Sequence, residues 1–192
     1  MKRNFSPLKT SEFSIFEWMK NIFLVGYMGV GKTTIGKKIA KELGMYFIDL
    51  DRFISKNENA SIPEIMKSGG EAQFRLLEQR YLLELISKKN VLVSTGGGTP
   101  CFFDNMKQII SAGTSIYLKM DVKSLTNRLI QNTESRPLIA GKNKEQLTQF
   151  ITNHLEERRP YYEMAHFEIN ALNFSKEKIS EIKNMLVQKD RI

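Results

Sequence analysis

Residues 26–33 combine glycine, lysine and threonine in a pattern that suits phosphate binding. They read Gly-Tyr-Met-Gly-Val-Gly-Lys-Thr and fit the sequence GxxxxGK[ST] without a gap. In this pattern the loop backbone presents N–H groups to phosphate oxygens, the lysine reaches the β- and γ-phosphates, and the next hydroxyl coordinates Mg²⁺. Lys32 and Thr33 are expected in these last two roles. The predicted nucleotide-binding loop consists of Gly29, Val30, Gly31, Lys32, Thr33 and Thr34.

A short apolar run and a helical pattern flank this loop. Residues 22–25 (Ile-Phe-Leu-Val) suit a buried parallel strand. Ile35, Ile39 and Leu43 recur at the spacing of one helix face, and Gly44 stands where a left-handed C-terminal cap is favoured. The order strand, loop, helix directs the positive end of a helix dipole at a phosphate. A chance glycine-rich turn is therefore the weaker interpretation.

Two carboxylates follow the next apolar run. Residues 45–48 predict a second strand, and Asp49 and Asp51 come where it ends. Residues two apart on a strand point the same way, so we expect both acids beside the loop. There, one carboxylate can hold Mg²⁺ or its waters while the other meets an acceptor hydroxyl. The alternative for Asp51 is that it caps the next helix.

The rest of the chain alternates between short strands and helices. Further strands are predicted at residues 91–94, 115–119 and 167–170, and helices at 61–68, 71–86 and about 144–158, the last broken by Pro160. This alternation predicts a parallel sheet covered on both faces. We expect a poorly ordered arm at residues 1–20, with a natural start at Met19 as one hypothesis, and a single domain at residues 21–192. Residues 133–144 predict a mobile lid.

The whole-chain numbers exclude several classes of protein. The 192 residues are 41% hydrophobic and 26% charged, as in an ordinary globular domain. No run approaches the roughly 18 apolar residues of a transmembrane helix. Cys101 is the single cysteine, which excludes an internal disulfide and predicts a cytoplasmic protein. The net charge of +8 invites a nucleic-acid hypothesis, but the lysines form no single block, so we predict no nucleic-acid partner.

The placement of the acids distinguishes between classes of nucleotide-binding protein. A GTPase would want an Asn-Lys-x-Asp motif, whereas residues 143–146 read Asn-Lys-Glu-Gln. It would also want an acid closing the third strand, which here ends in Ser94-Thr95. Acids after the second strand instead favour a kinase that acts on a small molecule.

Six ordered motifs resemble the shikimate kinase family, over about residues 21–187. They are the loop at residues 26–34, Asp49-Leu-Asp51, Phe74-Arg75, Gly96-Gly-Gly98, Arg136-Pro-Leu138 and Glu157-Arg-Arg-Pro-Tyr161. The resemblance implies a P-loop fold of the nucleoside-monophosphate-kinase type, with a five-stranded parallel sheet in the order 2-3-1-4-5. It also implies transfer of the γ-phosphoryl group of ATP to the 3-hydroxyl of shikimate, with Mg²⁺ as cofactor, giving shikimate 3-phosphate and ADP in aromatic amino acid biosynthesis.

The same resemblance implies roles for individual residues. Asp51 would bind the acceptor hydroxyls and act as general base, and Asp49 would join Thr33 in the magnesium shell. Arg75 and Arg158 would hold the shikimate carboxylate, with Gly96, Gly97 and Gly98 adding contacts. Arg136 would close over ATP and stabilise the transferring phosphoryl group. Arg128 would lie against adenine.

Other interpretations stay open from the residues alone. Arg75 can be a solvated helix residue. Arg158 and Arg159 can be a pair of cations that interact favourably with the dipole at a helix C-terminus. A related kinase for another anionic polyol such as gluconate is the rival enzyme. A nucleotide-switched nucleic-acid protein is the rival from another class. We expect a monomer with no membrane partner.

Overall fold

The computed structural model describes residues 20–132 and 137–189. Its five strands form one sheet in the order β2-β3-β1-β4-β5, and every neighbouring pair is parallel. Both the strand count and the order confirm the prediction. The strands are β1 (Asn21–Val25), β2 (Tyr46–Asp49), β3 (Val91–Ser94), β4 (Gly113–Lys119) and β5 (Phe167–Asn170).

Seven helices accompany the sheet within the described residues. They are α1 (Lys32–Leu43), α2 (Leu50–Asn57), α3 (Ile62–Ile86), α4 (Asn105–Ala112), α5 (Val122–Leu129), α6 (Lys144–Tyr162) and α7 (Lys176–Lys189). Short 3₁₀ turns lie at Thr99–Cys101, Ile130–Asn132 and Pro137–Ile139. No helix in this part of the chain combines the length and the apolar character that crossing a membrane needs.

The centre of the sheet is the core of the fold. All five residues of β1 are buried, and β1 lies between β3 and β4. Because parallel strands of this kind are covered on both faces, continuous apolar runs such as Ile22 to Val25 mark them in the sequence. All strands run the same way, so the loops after β1, β2 and β3 meet at one edge of the sheet. That edge carries the glycine loop and both predicted acids.

Two helix breaks were predicted from glycine and proline, and the structure contains one of them. The predicted break at Gly69-Gly70 is present inside α3, where Gly70 has φ 73° and ψ 178°. The predicted break at Pro160 was wrong, because α6 continues to Tyr162. Proline removes one backbone donor, but the next turn still closes, since the Glu163 N–H donates to the Arg159 oxygen at 2.9 Å. The extra turn places Tyr162 in the buried interior.

Some predictions concern residues outside the described part. The N-terminal arm and the Met19 hypothesis fall there, apart from Lys20. Arg136 and residues 133–135 of the predicted lid fall there too. In the described part of the lid, Ile139 is buried and Leu138 is half exposed.

Candidate active site

The glycine loop ends at the N-terminus of α1. Gly31 takes the N-cap position with φ 105°, a left-handed conformation that favours glycine. Within the described structure, no side chain caps this helix. The N–H groups of its first turn therefore remain available to an anion, at the positive end of the helix dipole.

Lys32, Thr33 and Asp49 form the polar floor beside the loop. The buried Lys32 Nζ donates to the backbone oxygens of Gly26, at 2.6 Å, and Tyr27, at 3.0 Å. Thr33 Oγ1 donates to Asp49 Oδ2 at 2.7 Å. The threonine and aspartate oxygens are therefore close enough to bind one small cation together.

Two pockets adjoin at this edge of the sheet, with volumes of about 350 Å³ and 310 Å³. We call them the loop pocket and the arginine pocket. Met28, Asp51 and Gly97 line both. The loop pocket is also lined by Gly29, Gly31, Lys32, Thr33, Thr34, Asp49, Ser94 and Thr95. The arginine pocket is also lined by Ile62, Pro63, Met66, Phe74, Arg75, Glu78, Gly96, Gly98, Leu138 and Arg158.

Asp51 stands where the two pockets meet, although the reason given from the sequence was wrong. Asp49 is the last residue of β2, but Asp51 lies in the first turn of α2 and not on the strand. The helix begins early because Asp49 caps it, its Oδ1 accepting from the Arg52 N–H at 3.2 Å. Capping by Asp51, the alternative interpretation, was therefore wrong too.

The surroundings of Asp51 raise its pKa from 3.8 to about 6. Both pockets admit water to this side chain, yet protein atoms crowd around it, and their desolvation of the carboxylate is the largest cause. Repulsion from Glu78 and Asp49 raises the pKa further, while Lys32 and Arg75 lower it. A carboxylate poised near neutral pH is suited to accept a proton.

Arg75 is a buried cation held by two carboxylates, not a solvated residue. Its Nη1 donates to Glu78 Oε2 at 2.8 Å. Its Nε and Nη2 donate to Glu71 Oε1 at 3.2 and 2.8 Å. Glu78 is itself buried and accepts from the hydroxyl of Thr99. A guanidinium has five N–H donors, so one donor on each terminal nitrogen of Arg75 is left for a ligand.

Arg158 brings a second buried guanidinium to the arginine pocket, from the last turns of α6. Its Cζ lies 5.9 Å from the centre of the Tyr27 ring. Among the described residues, no carboxylate forms an ion pair with it. Because a buried charge without an ion-pair partner is costly, this arrangement favours an anionic ligand.

In the turn after β3, the glycine backbone lies very close to the side chains of the site. A Cβ atom on Gly96 would lie 2.5 Å from Glu78 Oε1 and 2.9 Å from Asp51 Oδ1. One on Gly98 would lie 2.7 Å from Arg75 Nη1. Tyr162 also holds this turn in place, because its hydroxyl donates to the Gly97 oxygen at 2.5 Å.

The described site residues predicted from the sequence lie at this edge of the sheet. Val30 and Arg128 adjoin the pockets without lining them: Val30 is buried, and its oxygen accepts from Arg128 Nη1 at 3.2 Å. Sequence reasoning missed Glu78, although its position three residues after Arg75 is the spacing of a helical ion pair. It also missed Tyr162, for which the sequence offers no local signal.

Comparisons with known proteins agree on one family. The family model described as shikimate kinase matches residues 28–187. A shikimate kinase of Parabacteroides distasonis is 43% identical over 88% of this chain and 99% of its own. The crystal structure of the Bacteroides thetaiotaomicron shikimate kinase has a TM-score of 0.78 at 40% identity, covering 89% of this chain and 96% of its own.

Two further structures separate fold from family. A shikimate kinase from Acinetobacter baumannii in complex with shikimate has a TM-score of 0.81 at 34% identity, covering 92% of this chain and 97% of its own. A gluconokinase from Sinorhizobium meliloti covers 91% of this chain and 93% of its own, but at 16% identity and a TM-score of 0.53. The gluconokinase shares the fold alone.

The raised pKa of Asp51 predicts a pH-dependent loss of stability. Below pH 3.8 the carboxyl keeps its proton in both states, and between 3.8 and about 6 only the folded protein keeps it, so stability falls as pH rises. Asp51→Asn removes this fall. Because water screens the site, we expect a gain of about 0.5–1 kcal/mol near neutral pH and none near pH 4, measured by urea unfolding.

Asp121 supplies a control whose effect on stability has the opposite pH dependence. The Ser124 N–H lowers its pKa, so this carboxylate stabilises the fold above its unfolded pKa, and the benefit is lost as pH falls through the folded value. A gain from Asp51→Asn that is equal at all pH values, or largest in acid, would contradict the assigned environment of Asp51.

Proposed function

Since the chain belongs to the shikimate kinase family, we propose that it transfers the γ-phosphoryl group of ATP to the 3-hydroxyl of shikimate. The products are shikimate 3-phosphate and ADP. The observation that carries the proposal is the position of Asp51, between a phosphate-binding loop and a pocket with two buried arginines.

The arginine pocket suits a small cyclic acid with several hydroxyls. Arg158 and the two remaining donors of Arg75 match a carboxylate, which a planar guanidinium binds through paired hydrogen bonds. The apolar wall formed by Ile62, Pro63 and Met66 suits the carbon ring. The backbone of Gly96, Gly97 and Gly98 can approach the substrate closely on the other side.

The acceptor hydroxyl would then face Asp51. Its oxygen attacks the γ-phosphorus, the bond from that phosphorus to the β–γ bridging oxygen breaks, and ADP leaves. Asp51 takes the hydroxyl proton, which its pKa of about 6 permits at neutral pH. Holding the two reactants in line and neutralising their charge supplies most of the catalysis in such reactions.

The loop pocket would hold the phosphates of ATP. The N–H groups of the first turn of α1 and the Lys32 ammonium would bind them. Arg128, which donates to the loop at Val30, would lie beside the adenine. We assign Arg136 to the transferring phosphoryl group, as a lid arginine that stabilises its developing charge.

Mg²⁺ is the cofactor we propose. Thr33 Oγ1 and Asp49 Oδ2, 2.7 Å apart, are hard oxygen donors of the kind this ion prefers. Few protein ligands are needed, because Mg²⁺ keeps several waters and binds substrate phosphates. When bound, the ion neutralises charge on the β- and γ-phosphates.

We further propose a monomeric enzyme in the cytoplasm. The single cysteine supports a reducing compartment, and burial raises the pKa of the Cys101 thiol to about 11, which leaves it unreactive.

The direct test is ADP release from Mg·ATP with and without the acceptor. We expect release to require shikimate, and gluconate to give none. Asp51→Asn should bind both substrates but turn over about 10²- to 10⁴-fold more slowly, the range for losing a general base. Release with gluconate alone would identify the rival kinase, and tight salt-sensitive RNA binding without turnover would favour the nucleic-acid protein.

The magnesium assignment has its own test in Asp49→Asn. The Mg²⁺ concentration for half-maximal activity should rise by about 10- to 100-fold, while the KM for shikimate stays the same. Thr33→Ser keeps the hydroxyl and serves as the conservative control. An unchanged Mg²⁺ dependence in Asp49→Asn would remove Asp49 from the metal shell.

A further inference from the structure

The ring of Phe102 covers the guanidinium of Arg75 from outside the two pockets. The Arg75 Cζ lies 4.1 Å from the centre of this ring and 5.1 Å from that of Phe74. Phe102 is half-buried and lines neither pocket. The face of an aromatic ring attracts a guanidinium, and a stacked guanidinium keeps all its in-plane N–H donors.

We propose that Phe102 is a positioning residue for the acceptor substrate. Its ring fixes the plane of the Arg75 guanidinium, so that the two remaining donors point at the carboxylate before it arrives. The inference rests on the proposed function, since it takes Arg75 to bind shikimate.

The carboxylates around Arg75 do not by themselves fix the plane of its guanidinium. Glu78 is buried and contacts only Nη1, whereas the side chain of Glu71 is 58% exposed. Water reaches Glu71 and screens its charge, so Glu71 restrains the guanidinium less than the buried Glu78 does. The apolar face of Phe102 is a restraint that water does not screen in this way. It reduces the entropy lost when a long side chain is immobilised on binding.

The loop after the glycine turn is built to present this ring. In the 3₁₀ turn Thr99–Cys101, the Cys101 N–H donates to the Gly98 oxygen at 2.8 Å. Asn105 Nδ2 donates to the Thr99 oxygen at 2.9 Å. Phe103 then takes a left-handed φ of 51° and is 53% exposed. Two consecutive phenylalanines thus lie in opposite settings, one over Arg75 and one in solvent.

This contrast provides a matched pair of variants. Phe102→Leu removes the aromatic face, and we expect the KM for shikimate to rise about 3- to 20-fold. The kcat and the KM for ATP should stay within about twofold, as expected when an interaction is lost equally from ground and transition states. Phe102→Tyr should restore the wild-type KM, and Phe103→Leu should leave it unchanged. If Phe102→Leu does not fold, Phe102→Met replaces it.

The outcomes separate this inference from the proposed function. Arg75→Ala should weaken shikimate binding by at least about 30-fold, measured by calorimetry. If the wild-type protein does not bind shikimate, the proposed function fails. If the wild type and Arg75→Ala behave as expected but Phe102→Leu matches Phe103→Leu, the role of Phe102 is overturned. An equal fall in kcat, or a KM that Phe102→Tyr does not restore, overturns it as well.

Discussion

The turn Gly96-Gly97-Gly98 has no room for side chains, and the site depends on that constraint. Glu78 and Asp51 approach the first glycine, and Arg75 lies against the third, at distances that a Cβ atom would violate. Gly97 touches both pockets and is tied to α6 by the Tyr162 hydroxyl. Groups from α2, α3 and α6 therefore converge on this glycine backbone. Close packing of this kind fixes the relative positions of the side chains, because a protein interior has low compressibility.

The charges of the side chains that meet at the two pockets must also balance. Three acids and three cations, namely Asp49, Asp51, Glu78, Lys32, Arg75 and Arg158, share the two pockets. Glu78 offsets Arg75 directly, at the cost of raising the pKa of Asp51. The same carboxylate thus orients the group that binds the acceptor and adjusts the base that would deprotonate it. Arg158 has no carboxylate partner in the described chain, so an anionic substrate would complete the balance.

The sequence predicted what is locally encoded. The strand of residues 22–25, the glycine loop and the helix after it follow from apolar runs, spacing and caps. The sheet order and the partnership of Arg75 with Arg158 came from resemblance, since pairing between distant segments has no local signature. Asp51 was placed correctly for a wrong reason, because Asp49 caps α2 and ends the strand early. Pro160 misled because the helix tolerates the loss of one backbone donor when the hydrogen bonds of the next turn still form. The stacking of Phe102 on Arg75 depends on a loop conformation that no short motif specifies.

Gly98→Ala tests the glycine constraint most directly. Gly98 has φ −91°, so the backbone tolerates alanine, and the three atoms nearest to the added methyl group all belong to the Arg75 guanidinium. Calorimetry should show shikimate binding weakened by about 10-fold or more in Gly98→Ala, with ATP binding and melting temperature close to wild type. Unchanged shikimate affinity would contradict the account, because Arg75 would then bind its ligand without the space that the missing side chain provides.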